Sequence, residues 1–121
     1  MDEVVLLQIF DTAGLDRYNS LQGSYFQGAS GFVIVFDCTR KETFENVRVW
    51  IKTLKGRCTV QTPTIVVLGN KYDQAAKDLQ VSEKDVRELQ EEEKGIIFSY
   101  VSARSGLNVN ETLESMCASL L

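Results

Sequence analysis

The sequence predicts an α/β fold in which a mostly parallel, doubly wound sheet carries helices on both faces. Four short apolar runs alternate with segments of helical periodicity along the chain. The runs are apolar at consecutive positions rather than at every second one, which is typical of strands buried on both faces. Right-handed crossovers between such strands place helices on both sides of the sheet.

The four predicted strands are rich in β-branched and aromatic residues, and each of them ends at a polar or glycine residue. They are expected at residues 4–10, 31–36, 64–68 and 96–101. Pro63 directly precedes the third run, where the missing N–H of proline does little harm to a sheet.

Helices are predicted between and after the later strands from apolar residues at three- and four-residue steps. The first of these helices ends near Gly56, and Ser82 to Asp85 resembles a capping box that opens the second, which Gly95 closes. Asn110 is the expected N-cap of the last helix. The residues expected on the inner faces are Phe44, Val47, Trp50, Ile51 and Leu54, then Val86 and Leu89, then Leu113, Met116, Cys117 and Leu120.

Length and composition exclude several classes of protein. The 121 residues suffice for one modest domain, and 44% hydrophobic with 25% charged residues is typical of a globular chain. A net charge of −4 disfavours a nucleic-acid partner. The absence of histidine excludes histidine-based zinc sites, histidine general bases and Ser/His/Asp triads.

The cysteines and the apolar runs indicate a compartment. Cys38, Cys58 and Cys117 are an odd, widely spaced set, which favours free thiols in a reducing environment. The sequence opens without a signal-peptide pattern and has no apolar run long enough to span a membrane. We therefore expect a cytoplasmic protein with no direct membrane anchor in this chain, and a core position for Cys117.

Polar groups follow three of the four predicted strands. Asp11-Thr12-Ala13-Gly14 follows the first, Asn70-Lys71-Tyr72-Asp73 the third and Ser102-Ala103-Arg104 the fourth. Ligands of open parallel sheets bind beyond the carboxyl ends of the strands, so we expect one binding site built from all three groups. A turn or a solvated loop explains each group alone, but not their coincidence at one edge.

The residue types at this edge favour guanine. Asp73 can accept two hydrogen bonds from the adjacent N1 and N2 donors of guanine, which adenine does not offer. The stems of Lys71 and Arg104 can cover the faces of a base, and the N–H of Ala103 can donate to its carbonyl. In a partly dry pocket, a carboxylate left unpaired by the wrong base gives selectivity of ~10⁴ or more.

The group after the first strand suits the phosphate end of a nucleotide. Asp11 suits the outer coordination sphere of Mg²⁺, and Gly14 lets its backbone N–H approach a phosphate oxygen closely.

These groups resemble the nucleotide-binding motifs of the small GTPases. Residues 11–14 resemble the Mg²⁺ and γ-phosphate motif at switch II, and Asn70, Lys71 and Asp73 match the guanine-specificity motif. Residues 102–104 match the third base-contacting element, with Arg104 where lysine is usual.

Within that family the chain resembles the Rab branch. The similarity includes residues 7–14 around switch II, residues 17–29 after it, and residues 44–50 with Trp50, and it covers nearly the whole chain. It implies a P-loop NTPase fold of the small G-domain type, with residues 1–121 forming a partial domain. The implied function is GTP-dependent switching that recruits effectors to membranes in vesicle traffic.

The resemblance implies GTP or GDP with Mg²⁺ as ligands. Asp11 would serve the metal. The residues expected to bind the nucleotide are Asp11, Gly14, Asn70, Lys71, Asp73, Ser102, Ala103 and Arg104.

The family's phosphate-binding loop, switch I and prenylated tail have no counterpart in the sequence. There is no Gly-Lys dipeptide, and the Gly23 to Gly28 spacing precedes a strand instead of following one. Losing about four phosphate contacts costs roughly 6–12 kcal/mol, or about four to nine decades of affinity. We expect this chain alone to bind GTP weakly, and to associate with membranes only through a lipidated tail outside it.

Leu15 stands where the family usually has the glutamine that orients the attacking water, so we expect no catalytic residue here and slow hydrolysis. The family's first strand would lie between residues 4–10 and 31–36. Its absence predicts re-pairing of those two strands, or self-association or aggregation through unpaired strands.

Two alternative functions remain open. One is a non-catalytic module that docks effectors or escort proteins through an apolar surface, although several of its members fit a core role equally well. That surface consists of Leu15, Tyr18, Leu21, Tyr25, Phe26 and Trp50. The other is a different nucleotide-binding α/β protein, which the lack of Gly-x-Gly-x-x-Gly after the first strand disfavours.

Overall fold

A parallel sheet is the centre of the part of the chain that the structure, a computed structural model, describes: residues 4–10 and 28–121. In those residues the sheet has three strands in the order β1-β2-β3, namely β1 Gly31–Asp37, β2 Thr64–Asn70 and β3 Ile97–Tyr100. The helices of the same part are α1 Lys41–Arg57, α2 Ala75–Asp78, α3 Glu83–Glu92 and α4 Val109–Leu120. The predicted α/β class with parallel strands is confirmed.

The register of the sheet aligns the carboxyl ends of its strands. Gly31 lies opposite Thr64 and Asp37 lies opposite Asn70, so β1 and β2 end side by side. β3 pairs with β2 in parallel as far as the Gly69 and Tyr100 pair. The segments after all three strands therefore leave the sheet at one edge.

One face of the sheet is covered by α1 and α3. Phe36 of β1 is buried and meets Phe44 of α1 with ring centroids 5.0 Å apart. The predicted inner residues of these helices are buried, and Trp50 is half-buried against the same cluster. The buried residues are Phe44, Val47, Ile51, Leu54, Val86 and Leu89.

The opposite face is covered by α4. A side chain on Gly31 would collide with Met116, so glycine at this position permits close packing of α4 on β1. Met116 is buried, whereas Cys117 is half-buried, so the core position predicted for Cys117 is only partly reached. Val33 and Val35 lie on the same face of β1 as Gly31 and remain 43% and 57% exposed.

Ion pairs join α1 to α3. Nε of Arg48 lies 2.6 Å from Oε2 of Glu92, and both side chains are about one-third to one-half exposed. Lys41 approaches Asp85 at 3.4 Å. Such exposed pairs contribute about 0–1 kcal/mol each, so the buried apolar cluster is the larger source of stability here.

The capping box predicted at Ser82 is confirmed. The Ser82 hydroxyl accepts from the N–H of Asp85 at 3.2 Å, and the Asp85 carboxylate accepts from the N–H of Ser82 at 3.0 Å. Gly95 has a φ of +94°, the left-handed conformation expected of a glycine after a helix.

One local prediction was wrong. The N-cap of α4 is Asn108 rather than Asn110, and its side chain donates to the carbonyl of Tyr100 at 2.9 Å. This is a shift of two residues, which local capping patterns alone do not resolve. α1 ends at Arg57 with Cys58 as its C-cap, one residue beyond Gly56, near which its end was predicted.

The predicted strand at residues 4–10 was also wrong. These residues have no regular structure, and Val4, Leu6, Ile9 and Phe10 are all more than half exposed. A strand needs hydrogen bonds from a neighbour, and among the described residues β1 pairs only with β2. The re-pairing of residues 4–10 with β1 therefore does not occur in this structure.

Candidate functional site

The segments after β2 and β3 are tied together by main-chain hydrogen bonds. The N–H of Val101 donates to the carbonyl of Gly69 at 2.8 Å, and the N–H of Tyr72 donates to the carbonyl of Val101 at 3.0 Å. These bonds extend the pairing of β2 with β3 into the segments that follow the two strands. Two of the three polar groups predicted from the sequence therefore converge.

Ser102 orients the carboxylate of Asp73. The Ser102 hydroxyl donates to Oδ1 of Asp73 at 3.0 Å and accepts from the N–H of Ser105 at 3.1 Å. Ser102 is completely buried, whereas Asp73 lies in the exposed 3₁₀ turn Tyr72–Gln74. The buried hydroxyl fixes one oxygen of an exposed carboxylate, which presents the carboxylate to a ligand in one orientation.

A second hydrogen bond crosses between the same segments. The N–H of Ala103 donates to the side-chain oxygen Oδ1 of Asn70 at 3.0 Å. The N–H that was expected to donate to a base carbonyl therefore has a partner within the chain. Because Asn70 already accepts from this N–H, a base carbonyl has to share the donor or displace the amide oxygen.

Lys71 is held by a carboxylate at the end of β1. Its Nζ lies 3.1 Å from Oδ2 of Asp37, and its φ of +66° is a left-handed conformation that non-glycine residues rarely adopt. Asp37 is 13% exposed, and its other oxygen accepts from the N–H and the hydroxyl of Thr39 at 2.9 and 2.6 Å.

The environment of Asp37 favours its ionised form. Burial raises the pKa of its carboxyl, but the hydrogen bonds from Thr39 and the ammonium of Lys71 outweigh burial and lower the pKa below its usual value. Asp37 was not among the residues predicted for the site. Its position directly after a strand, like that of Asn70, is the signal that could have identified it.

Two aromatic rings stack between the segment after β2 and the end of β3. Tyr72 and Tyr100 stack with centroids 4.8 Å apart, and the Tyr100 hydroxyl donates to the carbonyl of Val81 at 2.9 Å. Burial raises the pKa of Tyr100 to about 12, so this donor stays protonated at neutral pH. A side chain on Gly69 would meet Phe36 and Tyr100 at 2.9 and 3.1 Å, so glycine preserves the packing.

The site is more open than the partly dry pocket that the sequence predicted. Lys71, Asp73, Ala103 and Arg104 are exposed, and Asn70 is half-buried. A planar ligand between Lys71 and Arg104 would itself have to exclude the water around Asp73. Discrimination between bases then depends on how completely the bound base dries this carboxylate.

The predicted phosphate and metal residues lie outside the described residues. Asp11, Gly14 and Leu15 all fall in residues 11–27. Residues 4–10 and 28–121 contain no cluster of three or more cysteine, aspartate or glutamate side chains suited to a metal ion. The predicted role of Asp11 toward Mg²⁺ therefore remains a prediction.

A three-stranded parallel sheet with converging Asn-Lys-x-Asp and Ser-Ala-Arg segments is the arrangement of an α/β domain of the small GTPase type. The Ras family model matches residues 1–121, and the chain belongs to the Ras family. The chain is similar to Rab proteins of animals and plants.

Sequence identities to individual relatives show the similarity to Rab proteins. It is 39% identical over 112 residues to rat Ras-related protein Rab-27B, which covers 93% of this chain and 50% of that protein. It is 34% identical over 117 residues to bovine Ras-related protein Rab-13, and the matched region is 97% of this chain and 56% of that protein. Ras-related protein RABA6b of Arabidopsis thaliana is 36% identical over 115 residues, covering 95% and 49%. The chain thus spans about half the length of the curated relatives it matches.

No helix in the described ranges is long and apolar enough to cross a membrane.

Proposed function

We propose that this chain is the guanine-recognising part of a Rab-like GTP/GDP-binding switch protein of vesicle traffic. The observation that supports this most strongly is the Ser102 to Asp73 hydrogen bond of 3.0 Å. It fixes one oxygen of the carboxylate that would read the N1 and N2 donors of guanine. The N–H of Ala103, which donates to Oδ1 of Asn70 in this structure, would be shared with the base carbonyl or released to it.

The phosphate end of the nucleotide is proposed to be held less firmly. Asp11 would serve Mg²⁺ and Gly14 a phosphate oxygen, but the sequence has no Gly-Lys-Ser/Thr loop. Leu15 cannot orient a water molecule, since it has no polar side-chain atom. Weak nucleotide binding and little or no GTP hydrolysis are therefore proposed for this chain alone.

A titration of the ¹⁵N-labelled chain tests the proposed base recognition. GDP, ADP and inorganic phosphate are added separately with Mg²⁺, and the backbone amides are followed by NMR. We expect GDP, and neither ADP nor phosphate, to shift the amides of Lys71, Asp73, Ala103 and Arg104. Equal shifts from GDP and ADP would contradict the proposal, because only guanine offers paired donors to Asp73.

We also propose that protein partners dock on the switch II segment. Its apolar members, Leu15, Tyr18, Leu21, Tyr25 and Phe26, lie outside the described residues and would form the docking face. Trp50 is half-buried against the core, which favours a packing role for that member of the predicted docking face. Association with membranes through a lipidated tail is proposed for the whole protein.

Self-association through strand edges is a further proposed property of this chain. Within the described residues, β1 has a paired neighbour on one side, and Val33 and Val35 are 43% and 57% exposed on its face. An edge strand with an apolar surface is a ready template for another strand.

A further inference from the structure

We propose that Asp37 is a positioning residue of the guanine site, whose carboxylate holds the ammonium of Lys71 so that the lysine stem is fixed beside the base. This inference rests on the proposed function and adds a residue from a third strand end to it. The distance from Lys71 Nζ to Asp37 Oδ2 is 3.1 Å. The register of the sheet sets this distance, since Asp37 lies opposite Asn70, the neighbour of Lys71.

The carboxylate of Asp37 is itself held rigidly. Its Oδ1 accepts from the N–H of Thr39 at 2.9 Å and from the Thr39 hydroxyl at 2.6 Å. The main-chain N–H of Asp37 donates to the Thr43 hydroxyl at 2.9 Å. Oδ1 of this anchor is therefore held by two hydrogen bonds, and Oδ2 faces the ammonium of Lys71.

Lys71 needs such an anchor because its side chain is 52% exposed and has four rotatable bonds. Its φ of +66° directs the chain from β2 into the 3₁₀ turn that carries Asp73. A lysine held at its tip lies in place before a base arrives, so less conformational entropy is lost on binding. Asp37 thus contributes to affinity through Lys71 without touching the nucleotide.

A double-mutant cycle tests this coupling. GDP affinity is measured by amide NMR titration for the chain and for Asp37→Asn, Lys71→Met and the double variant. Asparagine keeps the oxygen that accepts from Thr39 and removes the charge. We expect Asp37→Asn to weaken GDP binding roughly 2- to 5-fold, the range for an ion pair with a half-exposed lysine. We expect it to have no further effect once Lys71 is methionine.

A matched control removes an ion pair elsewhere. Glu92→Gln breaks the 2.6 Å pair with Arg48 between α1 and α3, outside the site. It should leave GDP affinity unchanged. An equal loss of affinity in Glu92→Gln, or an effect of Asp37→Asn that persists in the Lys71→Met background, would overturn the positioning role.

A measurement without nucleotide separates the inference from the proposed function. The side-chain carboxyl of Asp37 is titrated by NMR in the original chain and in Lys71→Met, where its pKa should rise. An unchanged pKa means that the pair does not form in solution, which overturns the inference alone. If the pair forms but the chain binds GDP no better than ADP, the proposed function is overturned. The role of Asp37 in base recognition is then overturned as well.

Discussion

The hydroxyl of Ser102 donates to Oδ1 of Asp73 at 3.0 Å, joining the segment after β3 to the segment after β2. Ser102 is buried and Asp73 is exposed, so the rigid partner orients the accessible one. This hydrogen bond joins two short motifs, 29 positions apart in the sequence, and fixes the orientation of the Asp73 carboxylate as an acceptor. The first prediction concerns it directly.

Ser102→Ala should weaken GDP binding and destabilise the fold. It removes a buried hydroxyl that makes two hydrogen bonds, which typically costs about 1–2 kcal/mol of unfolding free energy. GDP affinity should fall by about 3- to 10-fold because the Asp73 carboxylate is no longer oriented. Urea unfolding and amide titration measure the two effects separately.

Ser115→Ala is the matched control for that change. Its hydroxyl donates to the carbonyl of Glu111 at 3.1 Å on the exposed side of α4, so both stability and GDP affinity should stay within error. If Ser102→Ala weakens GDP no more than Ser115→Ala does, the orienting role of Ser102 is refuted.

The carboxyl of Asp37 should make stability depend on pH. Its pKa is lowered in the folded chain, so it contributes stability that is fully present above its unfolded pKa of about 3.9. That contribution is lost as the pH falls through the lower folded pKa. The unfolding free energy of the chain should therefore exceed that of Asp37→Asn at pH 6–7, and the difference should shrink toward pH 3.

Urea unfolding of both chains at several pH values measures this difference. A gap that is the same at pH 3 and pH 7 would mean that the ionised carboxylate contributes nothing specific. Glu45→Gln serves as the control, because Glu45 is an exposed carboxylate of α1.

The exposed valines of β1 should drive self-association. Val33→Thr with Val35→Thr keeps the β-branched shape and reduces the apolar surface of the strand, so the associated fraction should fall. Sedimentation velocity over a range of concentrations measures that fraction. Val49→Thr, an exposed valine on α1, should leave it unchanged, and an equal effect of both changes would exclude β1 as the interface.

Nucleotide affinity should be far below that of a protein with a complete phosphate-binding loop. Losing about four phosphate contacts predicts a loss of roughly four to nine decades. Fluorescent GDP and GTP with Mg²⁺ measure the affinity of the chain. Submicromolar binding would contradict this estimate, and GTP turnover by the unaltered chain would contradict the proposed lack of hydrolysis.

The central elements were predictable because their signals are local and strong. The apolar run at the start of β2 specifies a strand buried on both faces, and Ser82 with Asp85 specifies a helix start. The convergence of Asp73 with Ser102 was also expected, because parallel strands end at one edge. Their hydrogen bond follows from that topology together with the turn after each strand.

Other features depend on neighbours that the sequence does not reveal. The residues Val4 to Phe10 are as apolar as β2, yet they pair with no strand among the described residues and are irregular and mostly exposed. Asn108 and Asn110 are both good cap residues, and the contact of Asn108 with Tyr100 decides between them. Asp37 was missed because its ion pair is with Lys71, 34 positions away in the sequence. That contact depends on the register between β1 and β2.

Exchanging the base preference tests the central claim most directly, namely that Asp73 reads guanine. Asp73→Asn replaces one acceptor oxygen by a donor, so it should lose affinity for GDP and gain affinity for xanthosine diphosphate, which carries a carbonyl where guanine has its amino group. Asp78→Asn, an exposed carboxylate in α2, is the control and should keep the original preference. Amide titrations with both nucleotides should give a reversed order of affinities for Asp73→Asn alone. The same order in all three chains would contradict the account.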